Sequence, residues 1–361
     1  MDSIRWTPTR LASVNQSGLG GSVGGTEAMT VGLCRELQAR GHDITLWVTH
    51  LDAPGVYGDL RWRSVERHLR QALLYEPSPD VIVAVRQPTV FTLPELDGLP
   101  VHRVLWAGDV LESSKIYAGL NNVDTFVYVS DWQREQWQSV VPALAETPSW
   151  ITPVALDPAW IPHDVPREPH TFIYASQPDR GLVPLVKMWP AIRAQIPDAT
   201  LLVTGYTADL SRMMILADRV IQQANQETGG IEPVRCDDKP SYFRQMARAS
   251  LLLYPGAYFQ ETNGHVCSEA MACGVIPLVT NLGALSETVP TNAGVLFDGD
   301  SASAAYQASY VAEIVRLASS SADADITARA AVGRAHVLPR CTYQAIGDLW
   351  DQRLREVEVV A

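Results

Sequence analysis

Short runs of apolar and β-branched residues alternate along this chain with stretches of helical hydrophobic spacing. In the first half, Ile44–Val48, Val81–Val85, Val104–Trp106 and Phe126–Val129 predict buried strands. In the second half, Phe172–Ala175, Leu201–Thr204, Leu251–Tyr254, Ile276–Thr280 and Val295–Phe297 do the same. Such runs are apolar almost throughout, which predicts parallel sheets covered on both faces by helices. Thr26–Arg40 predicts a helix with Met29, Leu33 and Leu37 on one stripe and a stop at Gly41. Pro240–Ala249 predicts a short helix running directly into Leu251–Tyr254. Tyr343–Val357 predicts a last helix with Ile346, Leu349 or Trp350, and Leu354 inward.

Between the two series, residues 152–169 hold five prolines, a stiff and non-helical connector. The expected domains are therefore 1–158, 159–335 and a terminal helical segment, 336–361. Two doubly wound domains in series place ligands at the carboxyl ends of their strands. A cleft enzyme follows from that architecture, but no particular reaction does.

Composition narrows the class. The chain has 361 residues, 47% hydrophobic and 19% charged, with no apolar run of the roughly 18 residues that a membrane span needs. Met-Asp-Ser-Ile-Arg-Trp at the start has neither the basic nor the apolar region of a signal peptide, so a cytoplasmic protein is expected. Five scattered cysteines without Cys-x-x-Cys spacing indicate neither a disulfide framework nor a structural zinc site. A net charge of −12 argues against extended nonspecific nucleic-acid binding. Arg63, Arg67 and Arg70, with Arg61 adjacent, have the spacing of one helix face. That face is either simply solvated or a patch for an anionic acceptor or membrane surface.

Three segments carry candidate chemistry. Gly18-Leu-Gly-Gly-Ser-Val-Gly-Gly-Thr-Glu27 lets backbone approach a ligand. It reads as a loop lining a sugar or diphosphate site, with Gly24 and Gly25 against the first helix. It also reads as a plain helix-capping loop. A dinucleotide fingerprint fits it poorly, because no strand precedes it and Asp52 lies too far along. Arg180 follows a strand and precedes a helix, and its planar fork suits a diphosphate. Glu261 and Glu269 lie eight residues apart, one in a loop and one on the opening turns of a helix that ends at Gly274. A loop-to-helix corner collects backbone N–H groups and the positive end of a helix dipole, which suits phosphate. Carboxylates beside it suit hydroxyl groups instead. Diphosphate plus hydroxyls describes a nucleotide-sugar.

Glu261 through Glu269, then Ala-Met-Ala-Cys-Gly-Val-Ile-Pro-Leu-Val-Thr280, resembles the donor-site signature of retaining GT-B glycosyltransferases, more narrowly the family-4 group. Gly-Gly-Thr-Glu27, residues 40–46, 124–133, 179–182, 197–205 and 283–289 add to the likeness, which covers about residues 20–300. The resemblance implies a GT-B α/β fold, two Rossmann-like doubly wound domains facing across a cleft. It implies transfer with retention from a nucleotide-diphosphate sugar (UDP-, GDP- or similar) by front-face attack, with no metal and no cofactor beyond that co-substrate. Glu269 would hold the ribose hydroxyls, Glu261 the sugar hydroxyls near the 3- and 4-positions, and Arg180 the diphosphate. Asn263, Gly264, His265 and Val266, beside Thr262, would add amide contacts to phosphate. Gly24 and Gly25 would face the diphosphate and acceptor from the first domain.

Three departures stand out. Ala175 occupies the place of a first basic residue, Gly108 that of a histidine, and Thr152–Asp157 that of a Pro-Asn-Gly-type turn. Asp109 or Glu112 is the candidate acceptor-side substitute; His102 is set aside as preceding its strand. The acceptor itself is open: lipid, polysaccharide, small natural product, protein or modified nucleic acid. Trp106, Trp132 and Trp137 offer stacking surfaces or core packing. The competing readings are a degenerate GT-B nucleotide-sugar binding protein and a GT-B sugar-nucleotide epimerase. A dehydrogenase is the remaining one.

Overall fold

A computed structural model describes residues 25–49, 51, 53–111, 118–205, 212–256 and 258–357. The chain forms two compact units, residues 1–156 with 341–361, and residues 157–340. The first division falls two residues before the boundary expected in the proline-rich connector, the second five residues after the one expected before the terminal helix. Among the described residues no helix is long and apolar enough to cross a membrane.

The first described elements of unit 1 are α1 (Gly25–Ala39) and β1 (Thr45–Val48), followed by β2 (Gly55–Tyr57), β3 (Leu60–Ser64) and α2 (Val65–Tyr75). Strand β3 pairs in parallel with β1 and antiparallel with β2. A four-stranded parallel sheet then runs in chain order: β4 (Val81–Val85), β5 (His102–Trp106), β6 (Thr125–Tyr128) and β7 (Ser149–Ile151), with α3 (Asp131–Val140) between the last two. Trp47, Leu69, Leu73, Ile82, Leu105, Phe126, Tyr128 and Trp137 share one core.

The arginine stripe expected on a helix divides between two elements. Leu60, Trp62 and Ser64 of β3 face inward, so Arg61 and Arg63 lie on a strand. Ser64 then caps α2 by accepting from the Arg67 amide, and only Arg67 and Arg70 are helical. Spacing of four and three residues imitated a helix face where the chain in fact alternates at period two. Acids meet the stripe: Arg63 makes two bonds to Glu76, while Arg70 pairs with Glu95 and Arg61 with Asp43.

Unit 2 is a second α/β layer. Its strands are β8 (Thr171–Tyr174), β9 (Thr200–Gly205), β10 (Ile231–Arg235), β11 (Leu251–Tyr254), β12 (Ile276–Thr280) and β13 (Val295–Phe297). Interleaved are α4 (Leu182–Gln195), α5 (Arg212–Glu227), α6 (Lys239–Arg248), α7 (His265–Cys273), α8 (Leu285–Thr288), α9 (Ala304–Ala318) and α10 (Asp323–Val337). All pairings are parallel, in the order β10-β9-β8-β11-β12-β13. Strands β8, β11 and β12 are buried at every position, as the apolar runs require.

The last helix, α11 (Tyr343–Glu356), belongs to unit 1. Ile346, Trp350 and Leu354 face inward, and Trp350 packs on Trp106 and Trp150 with ring centroids 5.0 and 5.4 Å apart. Tyr343 donates to the Ala28 carbonyl of α1, and Arg40 and His42 bond Asp348 and Asp351.

Candidate functional site

The strand order of unit 2 locates its site. Counted along the chain, the six strands lie third, second, first, fourth, fifth, sixth. The chain therefore leaves β8 in one direction and β11 in the other. Loops diverge at the carboxyl ends of those two neighbours, and ligands of open parallel sheets lie in that crevice. Arg180 comes from the loop after β8, and Glu261 from the loop after β11.

The two meet directly. Glu261 Oε1 accepts from Arg180 Nη1 at 3.0 Å and from the Tyr254 hydroxyl. Glu261 is only 8% exposed. The Arg180 guanidinium lies 3.7 Å from the Phe259 ring centroid, a cation–π contact. With five N–H donors, that fork is far from saturated by one bond. Burial alone would lower the Arg180 pKa, but the charges and hydrogen bonds of Glu261 and Tyr254 together outweigh it and raise the value. Burial, then Glu261, pushes the Tyr254 phenol well above its ordinary value, so Tyr254 stays a donor to Glu261.

Main-chain packing fixes Glu261 as firmly. A Cβ on Gly283 would lie 2.2 Å from the Glu261 carbonyl oxygen, and Gly283 has φ of +62°, so glycine is required twice over. The next amide, of Ala284, donates to that carbonyl at 2.8 Å.

Helix α7 carries the second acid. Gly264 caps it at φ of +73° without a side-chain bond, which turns its first-turn N–H groups toward the loop. Thr262, Asn263 and Gly264 form that loop, and His265 and Val266 open the helix. The Asn263 carbonyl accepts from the Thr288 hydroxyl. Glu269 lies one turn further in and is 4% exposed. Its Oε1 accepts from Lys239 Nζ at 2.9 Å, its Oε2 from the Tyr242 hydroxyl at 2.7 Å, and His265 Nε2 lies 3.7 Å from Oε1. Burial, the largest single influence, pushes this carboxyl up; Lys239, His265 and the Tyr242 hydroxyl in combination outweigh it and hold the carboxyl below the usual range. A buried acid so partnered is more than a solvated complement to the helix dipole.

In unit 1, Asp109 lies just beyond β5. Arg86, just beyond β4, grips both of its oxygens at 2.6 Å. The Asp109 carbonyl accepts from Gln133 Nε2 and Trp137 Nε1, each at 2.8 Å. Arg86 is the one non-glycine residue with positive φ among the described residues, at +63°. Its stem lies over Gly108, where a Cβ would come within 3.1 Å of it. A larger residue at 108 would crowd the arginine that holds Asp109.

Other expectations fare differently. Gly25 opens α1, whereas Gly24, Asp52 and Glu112 lie outside the described residues. His102 belongs to β5 rather than preceding it, and its Nε2 lies 2.9 Å from the Thr125 hydroxyl. Trp106 and Trp137 are core residues, 1% and 3% exposed, and offer no stacking surface. Arg86, Lys239, Tyr242 and Tyr254 were not singled out in the sequence. Tyr254 alone left a signal there, a polar tip ending an apolar strand beside Glu261.

Residues 163–330 match the family model of glycosyl transferases group 1. That span holds Arg180, Glu261 and Glu269, and it identifies unit 2 as a group 1 glycosyltransferase domain. Across 98% of both chains the fold is similar to sucrose-phosphate synthase from Thermosynechococcus elongatus, at 18% identity and a TM-score of 0.74. HepE from Anabaena, solved with UDP and glucose, is similar over 98% of this chain and 100% of its own, at 14% identity and a TM-score of 0.72. AviGT4, a glycosyltransferase of avilamycin A biosynthesis, is similar over 98% and 97%, at 15% and 0.68. The fold is GT-B, built from two Rossmann-like domains. No curated protein matches the chain in sequence.

Proposed function

We propose that the protein is a retaining glycosyltransferase that moves a sugar from a nucleotide-diphosphate donor to an acceptor, without a metal. The carrying observation is the meeting of Arg180 and Glu261 at the switch point of unit 2, beside the amino end of α7 and the buried Glu269. Glu269 takes the ribose hydroxyls, Glu261 the donor-sugar hydroxyls, and Arg180 the diphosphate. Thr262, Asn263, Gly264, His265 and Val266 line the phosphate side.

The chemistry follows from charge. The leaving diphosphate gains negative charge as the glycosidic bond breaks, so groups that bind it more tightly then lower the barrier. Arg180 and the positive end of α7 supply that field with no need to reorganise. Glu261 fixes the ring by accepting from its hydroxyls, and Asp109 of unit 1 handles the acceptor.

The first test is sugar release from UDP-glucose, because HepE has also been solved with UDP-glucose; GDP-, ADP- and dTDP-sugars follow. Free sugar released first as the α-anomer, with a rate unaffected by EDTA, is the expected result. Release of the β-anomer, or loss of rate in EDTA, contradicts it. A second reading has its own support: Gly108 supplies no side chain, and Asp109 is held on both oxygens by Arg86. In that reading the protein binds a nucleotide-sugar without turnover, and binding with no release of sugar from any donor identifies it.

A further inference from the structure

Glu269 has a resident cation to which no role in the donor site has been given. The carboxylate side chain is 5% exposed, and a bare charge at such depth is costly. Helix α6 supplies both of its direct donors from one face, Lys239 to Oε1 and, three residues on, Tyr242 to Oε2. The start of α6 is firmly fixed. Asp238 caps the Ser241 amide at 2.7 Å, and the Ser241 hydroxyl caps in return. Lys239 Nζ also lies 5.1 Å from the Tyr242 ring centroid. Each carboxylate oxygen thus has one fixed donor, and a carboxylate offers about two acceptor sites per oxygen. One site on each oxygen is left for a pair of hydroxyls.

We infer that Lys239 is a positioning residue of the donor site, which keeps Glu269 a carboxylate and turns its two remaining acceptor sites toward the ribose diol. This rests on the donor-site reading of Glu269 above. Lys239 itself need touch no part of the donor. Among the described residues, the other charged or titratable groups around Glu269 lie on its own helix, on α10 and in the loop of Glu261, whose charge also reaches Cys267. His265, Cys267 and Cys273 share α7, and Arg334 of α10 reaches the Cys273 carbonyl. Burial raises both thiols, so neither ionises near neutral pH. Among the described residues, His265 is the other group near the carboxylate that is a cation when protonated, at the longer distance of 3.7 Å. Without Lys239, burial is left opposed mainly by a histidine, and the carboxyl then takes up a proton at a higher pH.

The test is calorimetric binding of UDP, GDP and ADP to the full chain between about pH 5.5 and 8.5, a range that spans the histidine value. Wild type is expected to bind at least one of the three with an affinity flat in pH. Lys239→Met is expected to bind it about 10-fold more weakly, as for the loss of one charge-oriented hydrogen bond, and weaker still toward acid. Lys239→Arg is expected to restore the flat profile. Should Lys239→Met not fold, the double variant Lys239→Gln/Glu269→Gln has no buried charge to strand. It is expected to fold and to bind weakly at every pH. Wild-type affinity with a flat profile in Lys239→Met overturns the inference and leaves the donor site standing; wild-type affinity in the double variant overturns the ribose assignment of Glu269, and the inference with it. Failure of wild type to bind any of the three overturns the donor-site reading, and this inference with it.

Discussion

Each unit of this protein sets a carboxylate against a cation at the carboxyl ends of parallel strands, yet the two settings are opposite. In unit 1, Arg86 and Asp109 are 38% and 45% exposed. In unit 2, Glu261 and Glu269 are 10% and 5% exposed by side chain, and each has a tyrosine hydroxyl as well as a cation. Water screens the first pair, so its contribution to stability is about 0–1 kcal/mol despite two short bonds. The second set is desolvated, and stranding one member there costs about 3–5 kcal/mol. The same residue chemistry thus gives an adjustable group in one unit and a preorganised one in the other. Preorganised donors are what a developing diphosphate charge requires.

That contrast can be broken by mutation. Arg180→Ala should act most strongly, lowering sugar release from the donor by about 10²–10³-fold, as for loss of one transition-state donor. The fold should hold, with the melting temperature lowered because Glu261 is left buried without its cation. Collapse of the fold instead would make Arg180 a structural partner of Glu261. Glu269→Ala should weaken nucleotide binding by about 10–100-fold in calorimetry, the size of one charged hydrogen bond; unchanged affinity would remove the ribose assignment. Glu261→Ala should leave nucleotide affinity within about 3-fold while release falls by about 10-fold or more, because its partner is the sugar. Equal loss of both would merge the two acids into one role. Asp109→Asn should shift stability by no more than about 1 kcal/mol and leave nucleotide affinity alone. A large loss of affinity would mean that unit 1's pair belongs to the nucleotide site.

The smallest effect concerns pH. Burial lowers the His42 pKa, with Asp351 opposing. A lowered value in the folded state means that the stability is fully present above the unfolded value, about 6.5, and is lost as pH falls through the folded one. His42→Gln should flatten the decline of melting temperature below about pH 6.5. An unchanged slope would assign that decline to other groups, such as His102, which burial lowers in the same way.

Much of unit 2 was legible because burial on both faces writes continuous apolar runs: Leu251–Tyr254 and Ile276–Thr280 are strands as read. Strand β10 escaped because it is an edge strand with Glu232, Pro233 and Arg235 among five residues. Strand β3 escaped because its two outward arginines fell into helical register with those of α2. At the site, the acids were legible through their spacing around a helix start. Their partners were not. Lys239 lies 30 residues from Glu269 in sequence, and Arg86 lies 23 from Asp109. Such pairs are brought together by strand crossovers that leave no local pattern. Gly108 was noticed as a departure, and the reason for it, the Arg86 stem above it, is visible only in three dimensions.

The most direct test is a thermal-shift comparison of wild type and Glu269→Gln with UDP-, GDP-, ADP- and dTDP-sugars. A ligand that binds only the folded state raises the melting temperature, by about 2.7 kcal/mol of stability at a hundred times its Kd. The account predicts that at least one donor stabilises wild type and that Glu269→Gln, though folded, loses most of that gain. No shift with any of the four, or an equal shift in the variant, would contradict it.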